Sequence, residues 1–212
     1  MIFETRCAGC DTAGSAICTT CRFALLGRPP HDQPEGVVAV LPFTGRTRSI
    51  VLNLKYRNRR AAGRHLAGLV VNRLIELDAH HDLDVVTWAP TSRRRRRERG
   101  FDQAELIAST VARQLCLPCR RLLERSDERS GTQTGRDRTA RLVGAGFVAR
   151  PGLEGQHVLV VDDVVTTGAT LRAASDALAS RGATSTLIAL AATPDRRRSQ
   201  VVPLAGHAPS AA

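Results

Sequence analysis

Residues 158–171, Val-Leu-Val-Val-Asp-Asp-Val-Val-Thr-Thr-Gly-Ala-Thr-Leu, constrain this chain more than any other stretch. Four apolar residues in succession read as a strand buried on both faces, as in a parallel sheet. The strand delivers two adjacent carboxylates, Asp162 and Asp163, to its carboxyl end. Ligands of open parallel sheets bind beyond that edge. Gly168 then opens a helix, whose free N–H groups and dipole favour a phosphate. Thr166, Thr167 and Thr170 add hydroxyl donors, and Gly168 and Ala169 leave room for close approach. Carboxylates aimed at a phosphate would repel it. Aimed at sugar hydroxyls, or at a magnesium ion, they hold the ligand instead. The stretch therefore suits a sugar phosphate, with the phosphate in the threonine cup and the cis-diol on the acids. The bland alternative is a strand-to-helix turn capped by Asp and Thr. The full run of strand, two acids, spacer and T-T-G-x-T is more specific than that.

The rest of the chain supplies a matching frame. Val37–Phe43 and Asp82–Pro90 read as strands. "RTRSIVLNLKY", "AAGRHLAGLVVNRLIEL" and "FDQAELIASTVARQL" have apolar residues at helical spacing. "CRRLLER" is a weaker strand. "QHVLVVDD", "GATLRAASDALASRG" and "ATSTLIALA" close the pattern as strand, helix, strand. Alternation of this kind predicts an α/β fold, a mostly parallel sheet with helices on both faces. "TSRRRRRERG" reads as a charged loop. The polar stretch from Ser126 to Arg141 reads as a mobile loop, and the tail 194–212 as disordered. Hydrophobic residues make up 42% and aromatics only 3%, so the core is aliphatic.

Residues 1–35 stand apart. Cys7-x2-Cys10 and Cys18-x2-Cys21 are two knuckles that can supply four thiolates in a tetrahedron, which suits structural zinc. Disulfides or an iron–sulfur site are the alternatives. A Pro/Gly-rich linker follows, and residues 36–193 form the main domain. The N-terminus has no secretory pattern and no apolar run is long enough to span a bilayer, which predicts a cytoplasmic protein without membrane insertion. Cys116 and Cys119 read as ordinary buried small residues, with a redox pair as the alternative. The net charge is +11, carried almost wholly by arginine, since Lys55 is the only lysine. Such a balance favours anionic partners.

With these residues in view, the chain resembles the competence-protein F (ComF) family of type I phosphoribosyltransferase-like proteins, from Cys7 to about Ala192. The resemblance implies binding of phosphoribosyl pyrophosphate (PRPP) or a related ribose phosphate with Mg2+. Asp162 and Asp163 would hold the ribose hydroxyls, and Val165, Thr166, Thr167, Gly168, Ala169 and Thr170 the 5′-phosphate. The basic run after Pro90 corresponds to the pyrophosphate site, for which Arg93, Arg97 and Arg99 are the candidates. Lys55 also occupies a family position and joins the acids as a candidate catalytic residue. Asp102 stands where the family usually has Asn. Gln133 and Arg141 match part of the family's closing loop, with Gly144 near the place of its Asn. The implied activity is transfer of ribose 5-phosphate to an acceptor that the sequence does not name. The alternatives are a DNA-handling protein of natural competence and DNA uptake, with single-stranded DNA as partner, or a PRPP-sensing regulator. Homodimers are common in this fold.

Overall fold

The computed structural model describes residues 4–27, 29–126 and 146–194. The mobile-loop and tail expectations, with Gln133, Arg141 and Gly144, lie outside these residues; of the tail only Pro194 is described. A short helix α1 (Thr19–Phe23) precedes the main body. The body runs β1 (Val38–Pro42), α2 (Gly45–Tyr56), a 3-10 turn (Arg60–Ala62), α3 (Gly63–Glu76), β2 (Val85–Trp88), α4 (Arg93–Arg99) and α5 (Gln103–Gln114). It continues through β3 (Leu123–Arg125), β4 (Phe147–Ala149), β5 (His157–Val165), α6 (Ala169–Ala179) and β6 (Thr184–Ala192).

Four strands form a parallel sheet in the order β1-β6-β5-β2, as their continuous apolar runs require. β3 and β4 form a separate antiparallel pair that brackets residues 127–145. Each face of the sheet has its own aliphatic core. Leu159 and Val161 of β5 pack with α2, α3 and α5 through Ile50, Leu54, Val70 and Ile107. Val158 and Val160 pack on the other face with Leu171, Ala174 and Leu178 of α6 and with Leu123 and Ala149 of the β3–β4 pair. Helices thus cover both faces, as the alternation of elements predicts. Among the described residues no helix is long and apolar enough to cross a membrane.

Three details depart from the sequence expectations. β5 does not end with the acids but runs two residues past them to Val165, with Asp162 opposite Ala189 of β6. The arginine run is a helix, not a loop. Ser92 caps it by accepting a hydrogen bond from Arg95 N at 3.4 Å, Arg94 pairs with Glu98 at 2.8 Å, and Gly100 ends it at φ 75°. Arginine is a good helix former, and an i,i+4 carboxylate relieves part of the repulsion. Finally, Cys116 is exposed with φ 57°, and Cys119 is only half-buried, so neither is an ordinary core residue.

The cysteine module packs on the body as part of the same core. Cys7, Ala8, Ile17, Cys21 and Leu25 are buried in the cluster that holds Ile50 and Leu54 of α2. α2 starts just past the carboxyl end of β1, and Lys55 at its far end meets Asp163 near the carboxyl end of β5. The helix therefore crosses over the sheet's carboxyl edge, with the cysteine module against it.

Candidate functional site

Alternation along β5 decides where each acid goes. Val158 and Val160 face the α6 side and Leu159 and Val161 the α2 side. Continuing that period puts Asp162 towards α6 and Asp163 towards α2. Lys55 Nζ meets Asp163 Oδ2 at 2.9 Å, with both side chains largely buried. Asp162 folds its Oδ1 back to accept from Asp163 N at 2.7 Å. Burial holds the Asp162 carboxyl well above the usual carboxylate range, and the charge of Asp163 beside it adds to the effect.

A third carboxylate completes the group. Asp102 is buried, 4% exposed, at the start of α5. Its Oδ1 accepts from Ala104 N at 3.0 Å as a helix cap, and its Oδ2 accepts from Thr91 N at 2.8 Å. Burial raises its pKa, N–H bonds from Thr91, Glu105 and Ala104 oppose this, and Asp163 pushes it further up. Asp102 thus caps α5, as an Asn can, and also ties the turn after β2 to α5.

These groups line a cleft of about 200 Å³ at the carboxyl edge of the sheet. Asp162, Asp163, Asp102, Lys55 and Thr170 face it, with Arg95, Arg99 and Arg125 as further cations on its walls. A second cleft of about 340 Å³ adjoins it through shared Lys55, Arg95 and Arg99, and adds Tyr56, Asn58 and Glu98. Tyr56 is 67% exposed, and the Arg99 guanidinium lies 5.3 Å from its ring centre. Gln103 accepts from Arg99 Nη1 at 2.8 Å and so fixes its direction.

The predicted residues divide accordingly. The structure brings Lys55, Asp162, Asp163, Thr170 and Arg99 together. Thr166, Thr167 and Ala169 are exposed beside the cleft, while Val165 and Gly168 are buried. The space that Gly168 was expected to leave open is filled. At φ 77° a Cβ there would lie 2.7 Å from Arg172 Nη1 and 2.9 Å from Pro34 Cβ. Arg172 reaches back to donate from Nη2 to Thr167 O at 2.5 Å. Arg93 and Arg97 line neither cleft; both are exposed on α4. Arg95 was missed. The i,i+4 spacing of Arg95 and Arg99 would have found it had the capped run been read as a helix. Arg125 had no local signal, because a distant chain segment brings it to the cleft.

The four predicted cysteine ligands also come together. The Sγ atoms of Cys7, Cys10, Cys18 and Cys21 lie within 4.8 Å of one another, and none forms a disulfide. Cys10 and Cys18 Sγ are 3.5 Å apart. Four ligands at the Zn–S distance in a tetrahedron stand about 3.8 Å from each other, so the gathering fits such an ion. Gly9 forms part of the cradle, since a Cβ there would fall 2.6 Å from Cys21 Sγ. Gly9 N and Cys18 N each donate to Cys7 Sγ at 3.3 Å. Burial raises the Cys7 thiol, but N–H bonds from Cys18, Cys10 and Gly9 outweigh it and bring the group down to about 6. Burial and the neighbouring thiols push Cys21 the other way. Four thiols cannot all ionise side by side without a cation to share.

A parallel α/β sheet with two acids at its carboxyl edge and a threonine–glycine turn opening a helix is the frame of the cleft. Comparison with known sequences sharpens this. The profile of the Phosphoribosyl transferase domain matches residues 102–207, half of the chain, and the chain belongs to that family. It has the type I phosphoribosyltransferase fold. DNA utilization protein YhgH of Escherichia coli (strain K12) is 26% identical over 187 residues, covering 85% of this chain and 80% of that protein. Competence protein ComFC of Bacillus subtilis (strain 168) is 34% identical over 100 residues, 46% of this chain and 39% of that one. Among solved structures, the glutamine PRPP amidotransferase of B. subtilis superposes with a TM-score of 0.43 at 24% identity, over 62% of this chain. The chain spans only 26% of that enzyme, and so loose a superposition carries no residue roles.

Proposed function

We propose that the cleft binds PRPP with Mg2+ and transfers its ribose 5-phosphate to an acceptor nucleophile, releasing pyrophosphate. The observation that carries this reading is the Lys55–Asp163 pair at 2.9 Å within a cleft that also holds Asp162, Arg95, Arg99 and Thr170. Lys55 cancels one of the acidic charges, which lets a polyanion approach carboxylates that would otherwise repel it. Asp162 and Asp163 hold the ribose 2′- and 3′-hydroxyls. Thr166, Thr167 and Thr170, with the start of α6, take the 5′-phosphate. Arg95 and Arg99 stabilise the negative charge that develops on pyrophosphate as the C1–O bond breaks. Asp162, Asp163 and Asp102 are the oxygen ligands that suit Mg2+, which would supply further charge neutralisation on the leaving group. The fold's own contribution is orientation and exclusion of water. In this reading zinc sits in the four-cysteine cluster as a structural ion, and the chain acts in the cytoplasm.

Calorimetric titration of PRPP and Mg2+ into the protein tests the proposal. Saturable binding is expected, and Asp162→Asn with Asp163→Asn should weaken it roughly a hundredfold, since charge-assisted hydrogen bonds contribute about 1.5–3 kcal/mol each. Absence of binding by the unaltered protein would remove the proposal. A second reading is favoured by the names of the relatives, one a DNA utilization protein and one a competence protein. Here the exposed arginines of α4 meet the phosphates of single-stranded DNA, and the signature is affinity that falls steeply with added salt.

A further inference from the structure

The cysteine module is joined to the cleft by two separate routes. The first runs along α2. Arg46, Ile50 and Asn53, at spacings of four and three, share one face of that helix. All three engage the turn between Cys7 and Cys10. Arg46 Nη1 donates to Gly9 O at 3.2 Å, and Asn53 Nδ2 donates to Ala8 O at 2.8 Å. Ile50 Cγ1 lies 3.3 Å from where a Gly9 Cβ would stand. Just beyond the helix, Arg59 Nη2 pairs with Asp11 Oδ1 at 2.6 Å. The carbonyls of Ala8 and Gly9 belong to the turn between Cys7 and Cys10, which Asp11 N closes by donating to Cys7 O at 2.9 Å. Asn53 is two residues from Lys55, and its own carbonyl accepts from Arg57 N at 3.0 Å, which ends the helix. The last turn of α2 thus carries both Asn53, tied to the cysteine turn, and Lys55, paired with Asp163.

The second route is the linker. Pro34 packs against Gly168 of the threonine turn, so the segment leaving the module also touches the turn beside the cleft. Gln33 Oε1 anchors this segment by accepting from Ala39 N at 2.7 Å.

We propose that the metal state of the four-cysteine knuckle sets the affinity of the ribose-phosphate cleft, with Asn53 and Arg59 as the positioning residues that hold Lys55 on Asp163. The inference rests on the cleft being a PRPP site, but its placement of Lys55 can be read without that ligand. Lys55 is the only lysine in the chain, so reductive 13C-methylation gives it a single ε-amine resonance apart from the N-terminus.

The experiment uses the full chain loaded with zinc, with metal content measured in parallel. Removing zinc by chelation should shift the Lys55 resonance towards that of a free amine and lower PRPP affinity of the unlabelled protein at least roughly tenfold, the scale on which supporting residues around a metal act. Asn53→Ala combined with Arg59→Ala should keep one equivalent of zinc, yet reproduce most of the Lys55 shift and of the affinity loss. That variant decides the matter if the stripped protein loses its fold. An unmoved Lys55 resonance in the variant overturns the proposal, as does a chain that takes up no metal. If PRPP does not bind even the loaded protein, the binding reading fails separately, and the Lys55 resonance still decides the coupling.

Discussion

Asp162 and Asp163 sit in a nine-residue strand between two neighbours, whereas two of the three arginines on the cleft wall, Arg95 and Arg99, belong to a seven-residue helix with no buried residue. The acids are held by the sheet ladder and by the aliphatic cores on either side of it. The arginines' helix is held by one serine cap, one glycine terminus and the ion pairs of Arg94 with Glu98 at 2.8 Å and Arg96 with Glu105 at 3.2 Å, and Arg99 donates to Gln103 at 2.8 Å. One half of the cleft is rigid before any ligand arrives. The other rests on an exposed helix, with Arg95 exposed and Arg99 directed by Gln103.

The largest effect should come from the residue that joins the two halves. Lys55→Ala leaves Asp163 unpaired in a half-buried position, and PRPP affinity should fall roughly ten- to hundredfold, because removing one partner of a desolvated pair costs more than the pair's net contribution. Lys55→Arg should restore part of it. Full retention of affinity in Lys55→Ala would mean that the acids do not need their charge balanced.

A smaller effect separates the two sides of α4. Arg95→Ala with Arg99→Ala should weaken pyrophosphate binding, measured by competition with PRPP, about tenfold. Arg93→Ala with Arg97→Ala should change it less than about twofold, since exposed charges outside the cleft interact weakly through solvent. Equal losses in the two pairs would show that α4 acts as a diffuse positive surface rather than through its inward residues. That outcome would favour the nucleic-acid reading.

The smallest effect concerns the acids alone. The folded-state pKa of Asp162 lies above the ordinary value, so its ionised form destabilises the fold at neutral pH. Asp162→Asn should therefore raise the thermal midpoint by a few degrees at pH 7. Its Oδ1 can still accept from Asp163 N. The gain should shrink as pH falls through the raised pKa, and vanish below the ordinary carboxylate range. A gain that grows on acidification would contradict the burial argument.

Particular residues show how far the sequence could be read. The run from Val158 to Leu171 announced strand, acids and helix start because each uses local rules of periodicity and turn chemistry. The cysteine spacing announced a four-thiol cluster for the same reason. The arginine run was misread because its charges suggested a solvated loop, although Ser92 and Gly100 marked both ends of a helix. Pro34, from a distant segment, was invisible as a neighbour of Gly168, since a glycine is silent about what fills the space it leaves.

The sequence by itself determined the parallel α/β class, the acidic pair, the threonine turn and the cysteine quartet, because each is written in residues adjacent along the chain. Only the tertiary structure decided that Lys55 meets Asp163, 108 positions away (163 − 55), and that Arg95 rather than Arg93 or Arg97 turns inward. It also decided that the cysteine module leans on the helix carrying Lys55. These are contacts between distant segments. They depend on how α2 crosses the sheet edge and how α4 is rotated, and no local pattern of residues encodes either.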